Sequence, residues 1–177
     1  MPRLTRTALT AALAGAAAVV AAAPATATPA LSIVDAHGPT YTYDDAYRSV
    51  RTRVRFADAP GGTWVSLKAT GFPAHAVGKR FGAHVHVNPC GPRPEDAGGH
   101  YQNPAAPAGT PLVDREIWLD FTVRPDRTGH AVAARPWRVG RESSRSVVIH
   151  ERRTDPRTGD AGGRLNCTTV PFAASGR

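Results

Sequence analysis

Between Val50 and Ala69 the chain alternates twice, and this pattern limits the fold more than any other feature of it. Val50, Thr52, Val54 and Phe56 fall on one side of an extended segment, with Arg51, Arg53 and Arg55 on the other. Val65, Leu67 and Ala69 then alternate against Ser66 and Lys68. A period of two belongs to a strand with one dry and one wet face. Ala59-Pro60-Gly61-Gly62 lies between the runs as a turn, so the pair predicts an antiparallel hairpin. Further short strands are expected at Leu31 to Val34, Phe81 to Val87, Glu116 to Val123, His130 to Trp137, Arg145 to Arg152 and Arg164 to Phe172. No helix is expected. Seven or eight such strands, separated by Gly, Pro and Asp turns, imply an all-β fold, an antiparallel eight-stranded barrel or sandwich.

The 177 residues allow one ordinary domain. That domain is expected over 28–177, because the first 27 residues read as a secretory signal peptide. Arg3 and Arg6 form a basic start, Ala8 to Ala23 an apolar run, and Ala25-Thr26-Ala27 a cleavage site. The run is too short and too rich in alanine to predict a membrane span. The chain is therefore expected to be exported and to lie outside the cell.

Loss of Arg3 and Arg6 takes Lys plus Arg from 22 to 20 against 14 acids, about +6 for the mature chain. Only Lys68 and Lys79 are lysines, and the arginines are scattered along the sequence rather than gathered in one run. A nucleic-acid partner is not expected from that pattern. A solvated basic surface is, and it would raise the local concentration of small anions. Cys90 and Cys167 are an even pair, which in an exported protein is compatible with a disulfide.

Chemistry concentrates between Gly82 and Pro104. His84 and His86 are two residues apart in a predicted strand, so both imidazoles leave the same face. His100 follows Gly98-Gly99, a pair that lets the backbone turn tightly and bring back a third ring. A fourth, His150, ends the run Ser146-Val147-Val148-Ile149. Sites built from imidazole alone suit copper and zinc.

Four segments, GAHVH, GGHYQNP, RSVVIHE and GDAGGRLNC in that order, resemble the copper half of the Cu/Zn superoxide dismutase family. The resemblance runs from about Thr63 to Val170 and implies an eight-stranded Greek-key β-barrel. It implies that His84, His86, His100 and His150 bind copper and that Cys90 and Cys167 form the family's disulfide. Arg164, in the GGR three residues before the second cysteine, is similar to the family arginine that attracts and orients superoxide. His37, His75 and His130 match no motif.

Two departures stand out. The zinc-containing members carry two histidines and an aspartate after the position of His100, whereas residues 101–129 contain no histidine. Asp120 stands near the place of the aspartate and Glu116 near that of the last histidine. The segment between His150 and Gly162 is also much shorter than the family's electrostatic loop. Both features resemble the copper-only branch, so copper is the expected cofactor and zinc is not expected. Without zinc, the second nitrogen of His100 needs a partner. Glu116 and Asp120 are four residues apart, on the same face of an undistorted strand, so either could reach it, with Glu116 favoured. The implied activity is disproportionation of superoxide to dioxygen and hydrogen peroxide. The alternative is an exported module that binds or buffers copper without turnover, which would keep the histidines but would not need Arg164. The oligomeric state is left open.

Overall fold

The computed structural model describes residues 31–172. The segment read as a signal peptide lies outside them. The hairpin forms where the alternation placed it, as β3 (Arg51–Ala59) paired along its whole length with β4 (Gly62–Thr70). Val54, Phe56, Val65 and Leu67 are almost completely buried, each contributing about 1.5–3 kcal/mol by leaving water. The turn needs its glycine. Gly62 has φ of 153° and sits so close to Arg135 that an added Cβ would lie 2.0 Å from that residue's carbonyl oxygen.

Strands β1 (Ser32–Gly38) and β8 (Gly129–Arg135) flank the hairpin in a four-stranded antiparallel sheet of order β1-β3-β4-β8. A second four-stranded sheet, of order β2-β10-β9-β6, contains β2 (Tyr41–Thr42), β6 (Ala83–His86), β9 (Ser146–His150) and β10 (Arg164–Thr169). The short strands β5 (Arg80–Phe81) and β7 (Phe121–Thr122) pair separately. The two main sheets enclose one large apolar core and do not close into a barrel. The fold is thus an antiparallel β-sandwich, with the expected eight strands in its two main sheets.

Differences from the expected elements have local causes. The strand predicted from Phe81 to Val87 is divided at Gly82, whose Cβ would collide with Ala161, Thr154 and the carbonyl of Arg152. The strand predicted from Glu116 to Val123 is regular only at Phe121–Thr122. Glu116 and Trp118 make isolated bridges to Gln102 and His84 instead, and Ile117 and Leu119 exchange backbone hydrogen bonds with Val85 and Ala83, so this segment runs along the edge of β6 with broken pairing. A single helical turn, α1 (Leu112–Arg115), precedes it.

Cys90 and Cys167 are joined by a disulfide across a sequence separation of 77. In the chain-entropy model such a loop closure contributes about 4 kcal/mol. The bridge fixes the start of the 88–99 loop to the buried middle of β10, the strand that opens with Arg164.

Candidate metal centre

Strand β9 is the organising element of the site. It pairs with β6 on one side, where His84 lies opposite Val148 and His86 opposite Ser146, and with β10 on the other, where Arg164 lies opposite His150. His100 reaches the same place through an isolated bridge to His86. The ring centroids of His84 and His100 are 4.0 Å apart and those of His86 and His150 5.5 Å. One nitrogen from each of the four rings lies within 4.8 Å of the other three.

The hydrogen bonds fix which nitrogen that is. His86 Nδ1 lies 3.0 Å from the carbonyl oxygen of Gly98, and His150 Nδ1 3.1 Å from that of Gly162. A carbonyl can only accept, so both rings carry their proton on Nδ1 and present a bare Nε2. These two nitrogens are 3.3 Å apart. His100 Nδ1 donates to Glu116 Oε2 at 2.9 Å, which likewise leaves its Nε2 bare.

His84 is turned the other way. Its Nε2 is 2.7 Å from Thr154 Oγ1, and that hydroxyl donates its only proton to Asp120 Oδ1 at 2.6 Å. Thr154 therefore accepts from His84, whose Nδ1 is left buried without a hydrogen-bond partner among the described residues. A buried polar atom without a partner costs about 1–3 kcal/mol. Four lone pairs converge on one point, and no proton lies between them. A cation answers that arrangement, and the all-imidazole donor set suits copper or zinc.

The electrostatics agree. Burial, and then the neighbouring imidazole of His100, pushes His86 down to about 2, and burial lowers His150 to about 4. His84 is held well below the usual histidine range by the same burial and by the three rings around it. At neutral pH these three rings are in the neutral, ligating form. Burial raises the Glu116 carboxyl, but hydrogen bonds from His100, Trp118 and Gln102 together outweigh it and hold the group below its ordinary value. Glu116 is therefore a carboxylate, accepting from His100 Nδ1, from Gln102 Nε2 at 2.8 Å and from Trp118 Nε1 at 2.7 Å.

Of the two acids considered for His100, Glu116 lies against it, whereas Asp120 grips Thr154 by both its amide (3.0 Å) and its hydroxyl. Arg164 stands at the edge of the cluster. Its Nη1 and Nη2 donate to the carbonyls of Pro94 and Gly98 at 2.5 and 2.6 Å. A β-bulge between Arg164 and Asn166 re-aims the side chain away from regular register. The Gly98 carbonyl thus serves both His86 and Arg164. Gly98 has φ of 72°, and a Cβ there would lie 2.7 Å from Val87, so only glycine fits the turn that aims this oxygen.

Sequence reasoning did not single out Thr154, Gln102, Trp118 or the Gly98 carbonyl. Gln102 had a signal, since it follows His100 by two residues and so shares its face in extended chain. Thr154 had none, being a lone threonine in a loop.

No family model and no curated protein matches the sequence. Solved structures match it at low identity. A glutamate-to-alanine mutant of Candida albicans superoxide dismutase 5 is 17% identical, with a TM-score of 0.50 over 85% of this chain and 95% of that one. A glutamate-to-glutamine mutant of the same protein is 18% identical (TM-score 0.48, covering 82% and 94%), and its copper(II) form 15% identical (0.48, 82% and 94%). The likeness to the first is one of fold, and the chain has the superoxide dismutase β-sandwich.

Proposed function

We propose that this chain is an exported, copper-dependent superoxide dismutase of the copper-only kind. The observation that supports the reading most strongly is the convergence of four unprotonated imidazole nitrogens within 4.8 Å, each ring held by a hydrogen bond at its other nitrogen. His84 through Nδ1 and His86, His100 and His150 through Nε2 would hold the ion. Bound copper would supply one-electron chemistry, by which two superoxide anions and two protons give dioxygen and hydrogen peroxide.

The protein's own contribution is position and charge. Gly98, Gly162, Glu116 and Thr154 orient the rings, so no imidazole has to turn when the ion binds. Arg164 is pinned by two carbonyls beside His86, and a guanidinium stays charged at every working pH. It attracts a small anion and gives it hydrogen-bond donors. Glu116 and Asp120 are committed to His100 and Thr154, which supports copper alone rather than a copper and zinc pair.

Elemental analysis of the purified mature protein, after exposure to both metals and mild chelation, tests the cofactor reading. About one copper per chain and no retained zinc is expected. One stoichiometric zinc that resists chelation would contradict it.

A further inference from the structure

The outer face of the β1-β3-β4-β8 sheet carries a second organised feature. Strand register places His37 opposite Arg53, Arg53 opposite Lys68, and Lys68 opposite His130. All four side chains are exposed, so one unbroken row of bases crosses the sheet at right angles to its strands. With strands about 4.8 Å apart, the row is about 14 Å long. Arg53 and Lys68 are like charges directly opposite each other, an arrangement that destabilises a sheet.

The neighbouring rows complete the surface. Asp35 lies opposite Arg55 and accepts from Nε of both Arg53 and Arg55 at 3.1 Å. The one carboxylate thus fixes two guanidinium groups in place without cancelling them. Arg53, Arg55, Ser66 and Lys68 line a hollow of about 150 Å³. Beyond it runs an apolar row in which Ile33, Ala57, Trp64 and Ala134 face one another across the strands. Trp64 is 46% exposed and Ile33 50% exposed.

We propose that this face binds a linear, carboxylate-bearing polysaccharide. A straight row of bases complements a polymer that carries one carboxylate on each ring, and the flat indole of Trp64 offers an apolar surface to a sugar ring while keeping its N–H for a polar partner. A single-stranded nucleic acid fits less well, because such strands stack successive bases on several aromatics and Trp64 is the only aromatic in these rows. An anionic membrane fits less well too. The apolar row lies in the plane of Asp35 and Arg55, so it cannot enter the acyl layer without them. A second copy of the chain would set one row of bases against another. The surface is separate from the histidine cluster, and the proposal does not depend on the metal.

The test is binding of the purified full chain to immobilised polygalacturonate at low salt, with dextran as the uncharged control. Single-stranded DNA and vesicles of phosphatidylserine and phosphatidylcholine are measured alongside. Binding to polygalacturonate alone is expected, falling about tenfold or more in Arg53→Glu/Lys68→Glu and losing much of its salt dependence. Trp64→Ala is expected to weaken binding with the salt dependence unchanged. The milder Lys68→Gln serves if the double variant does not fold, and Arg153→Glu/Arg157→Glu, which makes the same charge change in the exposed loop after β9 of the other sheet, should bind normally. No binding by the unaltered chain, equal loss in the distant variant, or tighter binding to DNA or vesicles through Arg53 and Lys68 would each overturn the proposal.

Discussion

His86 Nε2 and His150 Nε2 stand 3.3 Å apart with no proton between them, because each ring already gives its proton to a backbone carbonyl through Nδ1. Two bare lone pairs held this close repel until a cation lies between them, while burial disfavours charge on either ring. The pH dependence of the metal-free protein follows. Burial pushes His150 down to about 4 and His86 to about 2, whereas imidazoles of the unfolded chain titrate near about 6.5. The unfolded chain therefore binds these protons more readily. Stability is lost as pH falls below about 6.5, by about 1.4 kcal/mol per unit for each ring; the His150 share is complete near about 4, and that of His86 continues below it. Denaturant unfolding of metal-free protein from neutral pH to about pH 4.5 should show this fall, and His150→Gln should make it shallower. A flat profile would contradict the assigned protonation.

Glu116 accepts from His100, Gln102 and Trp118 together. Glu116→Gln keeps the shape but removes the charge that favours a proton on His100 Nδ1. Copper affinity or turnover is expected to fall about 10- to 100-fold. Competition with a chelator of known affinity measures the first and superoxide decay the second; wild-type values in both would show that His100 is held otherwise.

Thr154 passes the hold of Asp120 to His84 through one hydroxyl. Thr154→Ser keeps that hydroxyl and Thr154→Val replaces it with a methyl group of similar size. The valine variant is expected to leave His84 Nε2 without its acceptor and to change the electron paramagnetic resonance spectrum of bound copper(II), while serine restores it. Identical spectra for valine and wild type would remove Thr154 from the site.

Arg164 is anchored by Pro94 and Gly98 rather than by an acid, so its charge is not neutralised by a salt bridge among the described residues. Arg164→Ala should lower the second-order rate with superoxide and flatten its dependence on ionic strength, with copper content unchanged. An unchanged rate and salt profile would exclude a steering role.

The hairpin was legible because Val54, Phe56, Val65 and Leu67 alternate strictly against polar neighbours, and burial of one face leaves a strand no other register. His84, His86, His100 and His150 were legible as a group because motif order placed them on neighbouring segments. The distorted run from Glu116 to Asp120 was not. Its β-rich composition reads as a regular strand, but it is shared between a bridge from Glu116 to Gln102 and bonds from Ile117 and Leu119 to β6, while Asp120 turns to Thr154. Thr154 was invisible for a related reason, since its role comes from a loop meeting Gly82 and Asp120 in space. The row of bases across the outer sheet was hidden as well. Arg53 and Lys68 are scattered in sequence and meet only through the register of β3 and β4.

Pulse radiolysis of superoxide in the presence of the purified mature protein, loaded with one copper per chain, decides whether the site turns over. Rapid second-order decay is expected that scales with copper-loaded protein, slows as ionic strength rises, and disappears on copper removal or in His150→Gln. Tight binding of one copper with no acceleration of superoxide decay would contradict it and leave a copper-holding protein without turnover.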